Sequence, residues 1–283
     1  MKYSLAIAHR VCPALSKTAA LFDDKYEMVK ATTASLANAL AGVNAKLTVI
    51  LDGCPPSYAR LFRDAFKGMA CVSCEFVETP SIGNAATYAK QHDILSGMAG
   101  DAEFLYFSED DYLYEPEALR EMMRFLRQPG VDFVTPLDHP DRYTHIVPER
   151  LKVEVRATDF RHWREVGTTC CTFMVKSATF KRAARRLGEY GRGSGDGPLW
   201  IGITKERIFS PAATIGAALR YFAGRRQSPE GLEFSTLAAW KWHKLALPFG
   251  RRYRLWGPIP SLATHLCKSA LPLPGGVSGA RRP

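Results

Sequence analysis

Near the middle of the chain three carboxylates, Glu109, Asp110 and Asp111, stand side by side behind Ser108 and an unbroken apolar run, Phe104-Leu105-Tyr106-Phe107. Adjacent carboxylates repel one another unless a cation or hydrogen-bond donors compensate them. An oxygen-rich cluster of this kind suits Mg²⁺ or Mn²⁺, with phosphate oxygens completing the shell. Its alternative use is a solvated acidic turn ahead of the next helix, for which Glu115-Pro116-Glu117 is a good start. Proline fits the first helical position and carboxylates are favoured in the first turn. The apolar run is too short for a membrane span and reads as a strand buried on both faces. The acids then lie at the carboxyl end of a buried strand, where open α/β sheets take their ligands, and the metal reading is preferred on that ground.

Other residues able to do chemistry fall at comparable places. Ser4 to Ala8 reads as a first strand, and His9 and Arg10 after Ala8 carry basic groups towards a nucleotide. Asp52 ends the run Leu47-Thr48-Val49-Ile50-Leu51, where it can accept hydrogen bonds from a base or ribose or simply open a tight Asp-Gly turn. Thr79 to Asn84, with Ser81, Gly83 and Asn84, is a small-residue loop opening a helix, and such a helix start offers backbone N–H groups to phosphate. Lys90 on that helix and Arg10 are candidates for countering phosphate charge. Asp196 lies in the glycine-rich stretch Gly191 to Gly197, either as a helix cap or as a general base on a loop able to close over an acceptor, with Trp200 as an apolar wall for a sugar face. Asp138-His139-Pro140-Asp141-Arg142 is a polar turn with a possible acceptor contact.

The elements that position these residues alternate in the manner of βαβ units. Helical spacing covers Lys25 to Leu40, Ser57 to Phe66 and Ala85 to Met98, and strand patterns cover Leu47 to Leu51, Val72 to Val77, Asp132 to Pro136, Leu151 to Arg156 and Thr168 to Val175. Ser177 is placed as the cap of a further helix. From Gly216 onward Pro, Gly, Arg and Trp dominate, with little periodicity outside Leu237 to Leu245. The expected organisation is a mixed α/β sheet flanked by helices over residues 1–215 and an irregular extension or lid over 216–283.

The chain has 283 residues, 46% hydrophobic and 23% charged, which is enough for one substantial core. A formal net charge of +10 suits a phosphorylated ligand or an anionic membrane surface. No basic-aromatic RNA signature, zinc-finger spacing or basic zipper accompanies it, so nucleic acid is not an expected partner. Seven cysteines without a disulfide framework point to a reduced interior, and Cys71, Cys74, Cys170 and Cys171 fall in strand-like or apolar runs. The apolar run of the N-terminus breaks at His9-Arg10, too early for a signal peptide, and no transmembrane helix is expected.

In order and spacing these motifs resemble the GT-A glycosyltransferase fold, most of all family-2-type enzymes using nucleotide sugars: strands Ser4–Ala8 and Leu47–Asp52, Ser108-Glu109-Asp110-Asp111 at the DxD position, and the late Gly-Asp-Gly-Pro-Leu-Trp. The resemblance covers roughly residues 1–210 and implies a metal-dependent, inverting transfer of one sugar from a UDP- or GDP-type donor to a glycan or lipid-linked acceptor. It implies that Asp111 binds Mn²⁺ or Mg²⁺, that Glu109, which replaces the usual Asp, contacts ribose or metal-bound water, with Asp110 beside it, and that Asp196 is the base. A C-terminal histidine often completes the metal site in the family. His265 in Pro260-Ser261-Leu262-Ala263-Thr264-His265-Leu266 matches that feature or is a surface residue of a terminal helix. Without the Gln-x-x-Arg-Trp motif and membrane helices of processive synthases, the expected setting is cytoplasmic or peripheral to the inner membrane face. Two other classes compete: a sugar nucleotidyltransferase, whose Gly-rich N-terminal loop is missing after Ala8, and a non-catalytic basic protein binding glycans or membranes through Arg225–Arg254 and Trp240, Trp242 and Trp256.

Overall fold

A computed structural model describes residues 1–16, 19–144, 154–205 and 232–268, together with Ile215, Leu219 and Leu271. Its first half is a parallel βα alternation: β1 (Tyr3–Val11), α1 (Lys25–Ala39), β2 (Ala45–Asp52), α2 (Pro56–Ala65), β3 (Val72–Thr79), α3 (Asn84–Met98) and β4 (Ala102–Glu109). Then follow β5 (Tyr112–Tyr114), α4 (Ala118–Leu126), β6 (Phe133–Val134), a single helical turn α5 (Asp141–Thr144), β7 (Val155–Ala157), β8 (His162–Val166), β9 (Phe173–Lys176) and α6 (Ser177–Leu187). A 3-10 turn (Tyr190–Arg192) leads to α7 (Asp196–Thr204), and beyond it come α8 (Leu232–His243), α9 (Ala246–Phe249), β10 (Leu255–Ile259) and β11 (Ala263–His265).

Nine of these strands form one mixed sheet in the order β3-β2-β1-β4-β9-β6-β10-β8-β7, and β11 pairs with β5 in a second, two-stranded ladder. β1 runs parallel to both β2 and β4, while β9 is antiparallel to β4. This is the mixed, Rossmann-like α/β architecture expected from the sequence. The strand order reverses between β1 and β4, and the crevice outside the carboxyl ends of such strands is the natural ligand position.

Side-chain alternation explains why the apolar runs are continuous. Leu5, Ile7, Phe104 and Tyr106 face one core with Val29, Leu36, Phe62 and Phe125, whereas Ala6, Ala8, Leu105 and Phe107 face the other with Tyr88, Leu95, Phe180 and Trp200. Phe104, Leu105, Tyr106 and Phe107 are all fully buried. Each contributes about 1.5–3 kcal/mol of burial, so β4 is anchored from both sides and the acids that follow it are held by a rigid strand.

Several boundaries differ from the sequence reading, for physical reasons. Residues 168–172 do not extend β9; Thr172 and Cys171 instead turn their side chains to acidic groups at the sheet edge. Ser177 does not cap α6, because its hydroxyl donates to the Ala102 carbonyl at 2.6 Å. The stretch read as nearly aperiodic after Gly216 supplies β10, which inserts between β6 and β8. Its five residues, Leu-Trp-Gly-Pro-Ile, are mostly buried and carry no polar alternation, so period 2 cannot reveal them. The segment 145–153 and most of 206–231, including Glu206 and Arg225–Arg226, lie outside the described residues.

Candidate active site

The parallel strands β1 to β4 bring His9, Arg10, Asp52 and Glu109 to one edge of the sheet, and the antiparallel β9 begins at that edge. Arg10 donates to Glu109 at 2.5 Å, to the Asn84 carbonyl at 3.0 Å and to the Asn84 side chain. Burial works against the guanidinium, and the Glu109 charge outweighs it, so Arg10 stays firmly protonated. Glu109 also accepts from Thr172 at 2.8 Å. His9 is buried and shares a 2.9 Å hydrogen bond with Ser108. Burial lowers its pKa to about 3, so the ring is neutral at physiological pH.

The two aspartates that follow point to different environments. Asp110 turns inward, accepting from Lys25 at 2.7 Å and from the Cys12 backbone at 3.0 Å. Burial pushes its carboxyl up to about 6 against the pull of Lys25. Asp111 meets His265 at 3.1 Å, and its second oxygen, Oδ1, is buried with no hydrogen-bond partner among the described residues. Burial raises the Asp111 pKa, but the His265 hydrogen bond and charge outweigh it and hold the carboxylate ionised. For His265 the balance is reciprocal: burial lowers the pKa, and contacts with Asp111 and Cys170 raise it to about 11. The imidazole stacks flat on Tyr112, ring centroids 4.6 Å apart and planes within 1°.

The chain reaches this arrangement because β10 runs parallel to β6 and delivers its carboxyl end to the same edge. There Leu262 donates its N–H to Pro136 and accepts from Glu115, β11 pairs with β5, and Leu266 donates to the Asp111 carbonyl at 2.8 Å. His265 is therefore part of a β-ladder and not of a terminal helix.

Asp196 is the first residue of α7. Gly195 occupies the cap position, with no side-chain cap bond, so the carboxylate is not spent on capping. Cys171 donates to its Oδ1 at 2.9 Å, and no described residue donates to Oδ2. Burial, then the Glu109 charge, lifts Asp196 to about 6, with Cys171, Arg10 and His265 pulling the other way.

The remaining expected residues have other surroundings. Asp52 accepts from Thr79 at 2.7 Å and from the Ile82 and Gly83 backbones at 2.6 and 2.9 Å, which organises the loop before α3. Next to it Gly53 has a φ of 66°, and a Cβ there would come within 2.9 Å of Ser81. Ser81, Gly83 and Asn84 are exposed on that loop. Ala8 is buried within β1, its carbonyl taken by Gln91, which also bonds the Ser108 carbonyl. Lys90 is half-buried on α3 and makes no ion pair among the described residues. Trp200 corrects the expectation of a sugar-facing wall: it is 0% exposed, edge-on to Phe173 and Phe133 at 4.9 and 5.6 Å, because the face of α7 that carries it seals the core. Asp138 is occupied by Tyr143 at 2.5 Å and by Arg142 at 3.5 Å.

Sequence reasoning missed Lys25, Gln91, Cys171 and Thr172, all of which hold the site together. A lysine at the first position of a helix and a threonine just before a strand carry no local signal; only the paired register of β4 and β9 and the docking of α1 reveal them.

Among the described residues no three His, Cys, Asp or Glu side chains converge on one point as a metal cage, and no helix is long and apolar enough to cross a membrane. No protein-family model matches the chain, and no curated protein matches it. Solved structures do. The chain is similar to TarS of S. aureus in complex with UDP, with 13% identity and a TM-score of 0.43 over 70% of this chain and 54% of that one. Across the TarS structures, the match spans between 29% and 54% of the TarS chain, about half its length at most. It is also similar to the mannosyltransferase PcManGT of Pyrobaculum calidifontis in complex with GDP-Man and Mn²⁺, with 10% identity and a TM-score of 0.43 over 88% of this chain and 72% of that one. A putative nucleotide-diphospho-sugar transferase of Desulfovibrio desulfuricans G20 aligns over 85% of this chain and 98% of its own, with 9% identity and a TM-score of 0.43.

Proposed function

We propose that the chain is a glycosyltransferase that binds a nucleoside-diphosphate sugar at the β1/β4 edge with the help of a divalent cation, and passes a single sugar to an acceptor hydroxyl with inversion. The observation that carries this reading is the meeting of Asp111 and His265, 154 positions apart in sequence and 3.1 Å apart in space, on the same sheet edge as a carboxylate lifted to about 6.

The donor set fits a small divalent cation. Asp111 offers a buried oxygen, Oδ1, without a partner among the described residues, and His265, held protonated by Asp111 in the absence of metal, would release that proton as the cation arrives and ligate it as a neutral imidazole. Two protein donors leave positions for phosphate oxygens and water, as nucleotide-bound Mg²⁺ or Mn²⁺ requires. Held by Asp111 and His265, the cation would neutralise the departing diphosphate as Lewis acid and template. Glu109, fixed by Arg10 and Thr172, would accept a ribose hydroxyl beside it. Asp196 supplies the base: Cys171 fixes Oδ1, leaving Oδ2 for the proton of the acceptor hydroxyl, and a pKa near 6 leaves the group ionised yet basic at neutral pH. A base without a covalent partner agrees with direct displacement and therefore inversion. The donor is of UDP or GDP type, the acceptor a glycan or lipid-linked hydroxyl, and the setting cytoplasmic or peripheral to the inner membrane face.

Calorimetry with UDP and GDP, with and without Mn²⁺, tests the assignment. Asp111→Asn and His265→Ala are expected to lose the Mn²⁺-dependent part of nucleotide affinity. Unchanged Mn²⁺ dependence in both variants would overturn it.

A further inference from the structure

Away from the strand edge, the last turn of α6, the 3-10 turn and the end of α8 enclose a cavity of about 610 Å³. Five cations line it: Arg185, Arg186, Arg192, Lys241 and Lys244. The single acid in its lining, Glu189, is engaged by Arg192 at 3.4 Å. Among the described residues no carboxylate pairs with Arg185, Arg186, Lys241 or Lys244. Arg186 donates to the Arg251 carbonyl at 2.7 Å and lies over the Tyr253 ring at 5.4 Å, contacts that hold the guanidinium without neutralising it. Burial lowers its pKa, with Tyr253 opposing that shift and the neighbouring Arg185 adding to it.

We propose that this cavity is a binding site for a phosphate or diphosphate group, distinct from the nucleotide site at the β1/β4 edge and independent of the transfer reading. Concentrated like charge around a concave wall focuses positive potential, and the complementary ligand is a compact, multiply charged anion. Arginine contributes forked donors that match phosphate oxygens, and Trp242 adds an aromatic wall for an attached ring or chain.

The rim points to the form in which such a group arrives. Leu245 borders the cavity and is 73% exposed; Phe249, four residues on, is 82% exposed. Apolar side chains projecting beside lysines and arginines are the combination that enters a lipid headgroup layer, each cation near an anionic surface contributing about 1 kcal/mol. Lipid-borne phosphate is therefore the favoured source, with a soluble phosphate or diphosphate sharing the same chemistry.

The full chain, kept in EDTA so that the nucleotide site is silent, is titrated with inorganic diphosphate, and separately sedimented with vesicles of phosphatidylcholine alone or mixed with phosphatidylglycerol. Wild type is expected to bind diphosphate saturably. The exposed-residue variant Arg185→Glu/Lys241→Glu/Lys244→Glu is expected to lose about a hundredfold in affinity for anionic vesicles, and to lose diphosphate binding, while its circular dichroism spectrum and urea midpoint stay those of wild type as a control on folding. Leu245→Ser/Phe249→Ser is expected to release the protein from anionic vesicles and to leave diphosphate affinity unchanged. Diphosphate binding without vesicle retention supports the site and assigns it a soluble ligand. Equal diphosphate affinity in wild type and the charge-reversed variant, or retention by neutral vesicles as strong as a measurable retention by anionic ones, overturns the proposal.

Discussion

At the scale of single residues, protonation decides what each carboxylate can do. Glu109, Asp110, Asp111 and Asp196 share one region, yet their partners differ: an arginine, a lysine, a histidine and a thiol. Only Asp196 combines a raised pKa with an oxygen that no described residue occupies, the property its proposed role as base requires and the other three carboxylates lack. A general base contributes about 10²–10⁴-fold to rate. Asp196→Asn is therefore expected to lower transfer by that factor and leave nucleotide affinity within a few-fold of wild type. Because the ionised form is the active one, kcat/KM of the wild type is expected to fall as pH drops through about 6. In the asparagine variant the residual rate should lack that acid limb; a limb retained with the same midpoint would assign it to another group. The type of Asp196 and its glycine neighbours made it legible as a candidate from sequence, whereas its thiol partner was not, since Cys171 reads there as one more apolar position.

At the scale of elements, the acidic turn is held as much by α1 as by the strand before it. Lys25 pairs with Asp110, Thr32 donates to the Asp110 carbonyl at 3.0 Å, and Ser35 accepts from the Tyr114 N–H at 3.1 Å. All three side chains project from one face of α1, so helix and turn form one unit that presents Asp111. Removing one partner of a buried ion pair leaves an uncompensated charge and costs about 3–5 kcal/mol. Lys25→Met is expected to lower unfolding free energy by roughly that amount in urea titrations, and adding Asp110→Asn should recover most of the loss. A double variant as unstable as the single one would show that the pairing does not hold the turn. The run Phe104 to Phe107 was readable as a buried strand because burial on both faces demands an unbroken apolar stretch. β5, β8 and β10 were not, because their three to five residues are short and their stability comes from pairing with strands distant in sequence. The same long-range pairing is what turns His265 from one histidine near the end of the chain into a neighbour of Asp111.

At the scale of the whole molecule, the C-terminal part is tied to the N-terminal half at two places: through β10 within the sheet, and through α8 against α7, the helix that begins with Asp196. The second tie is close. His243 donates to the Pro198 carbonyl at 3.1 Å, and Gly202 faces the ring so closely that a Cβ would come within 2.0 Å of it. The ring therefore fills a slot with no room for another side chain, its Nδ1 is buried without a partner among the described residues, and burial lowers its pKa to about 4. In the unfolded chain the same imidazole titrates near its ordinary value of 6.5. Between those two values the unfolded state binds the proton and the folded state does not, so the contribution of His243 to stability is complete above pH 6.5 and is lost as pH falls towards 4. A difference of that size corresponds to about 3 kcal/mol. His243→Gln keeps a donor for the Pro198 carbonyl and removes the titration. Urea unfolding of both proteins at pH 7.5 and 4.5 is expected to show wild type losing about 2–3 kcal/mol more than the variant, the carboxylates common to both cancelling in the comparison. Equal losses would mean that the α7–α8 contact tolerates the proton, and that the acid sensitivity of the fold originates elsewhere.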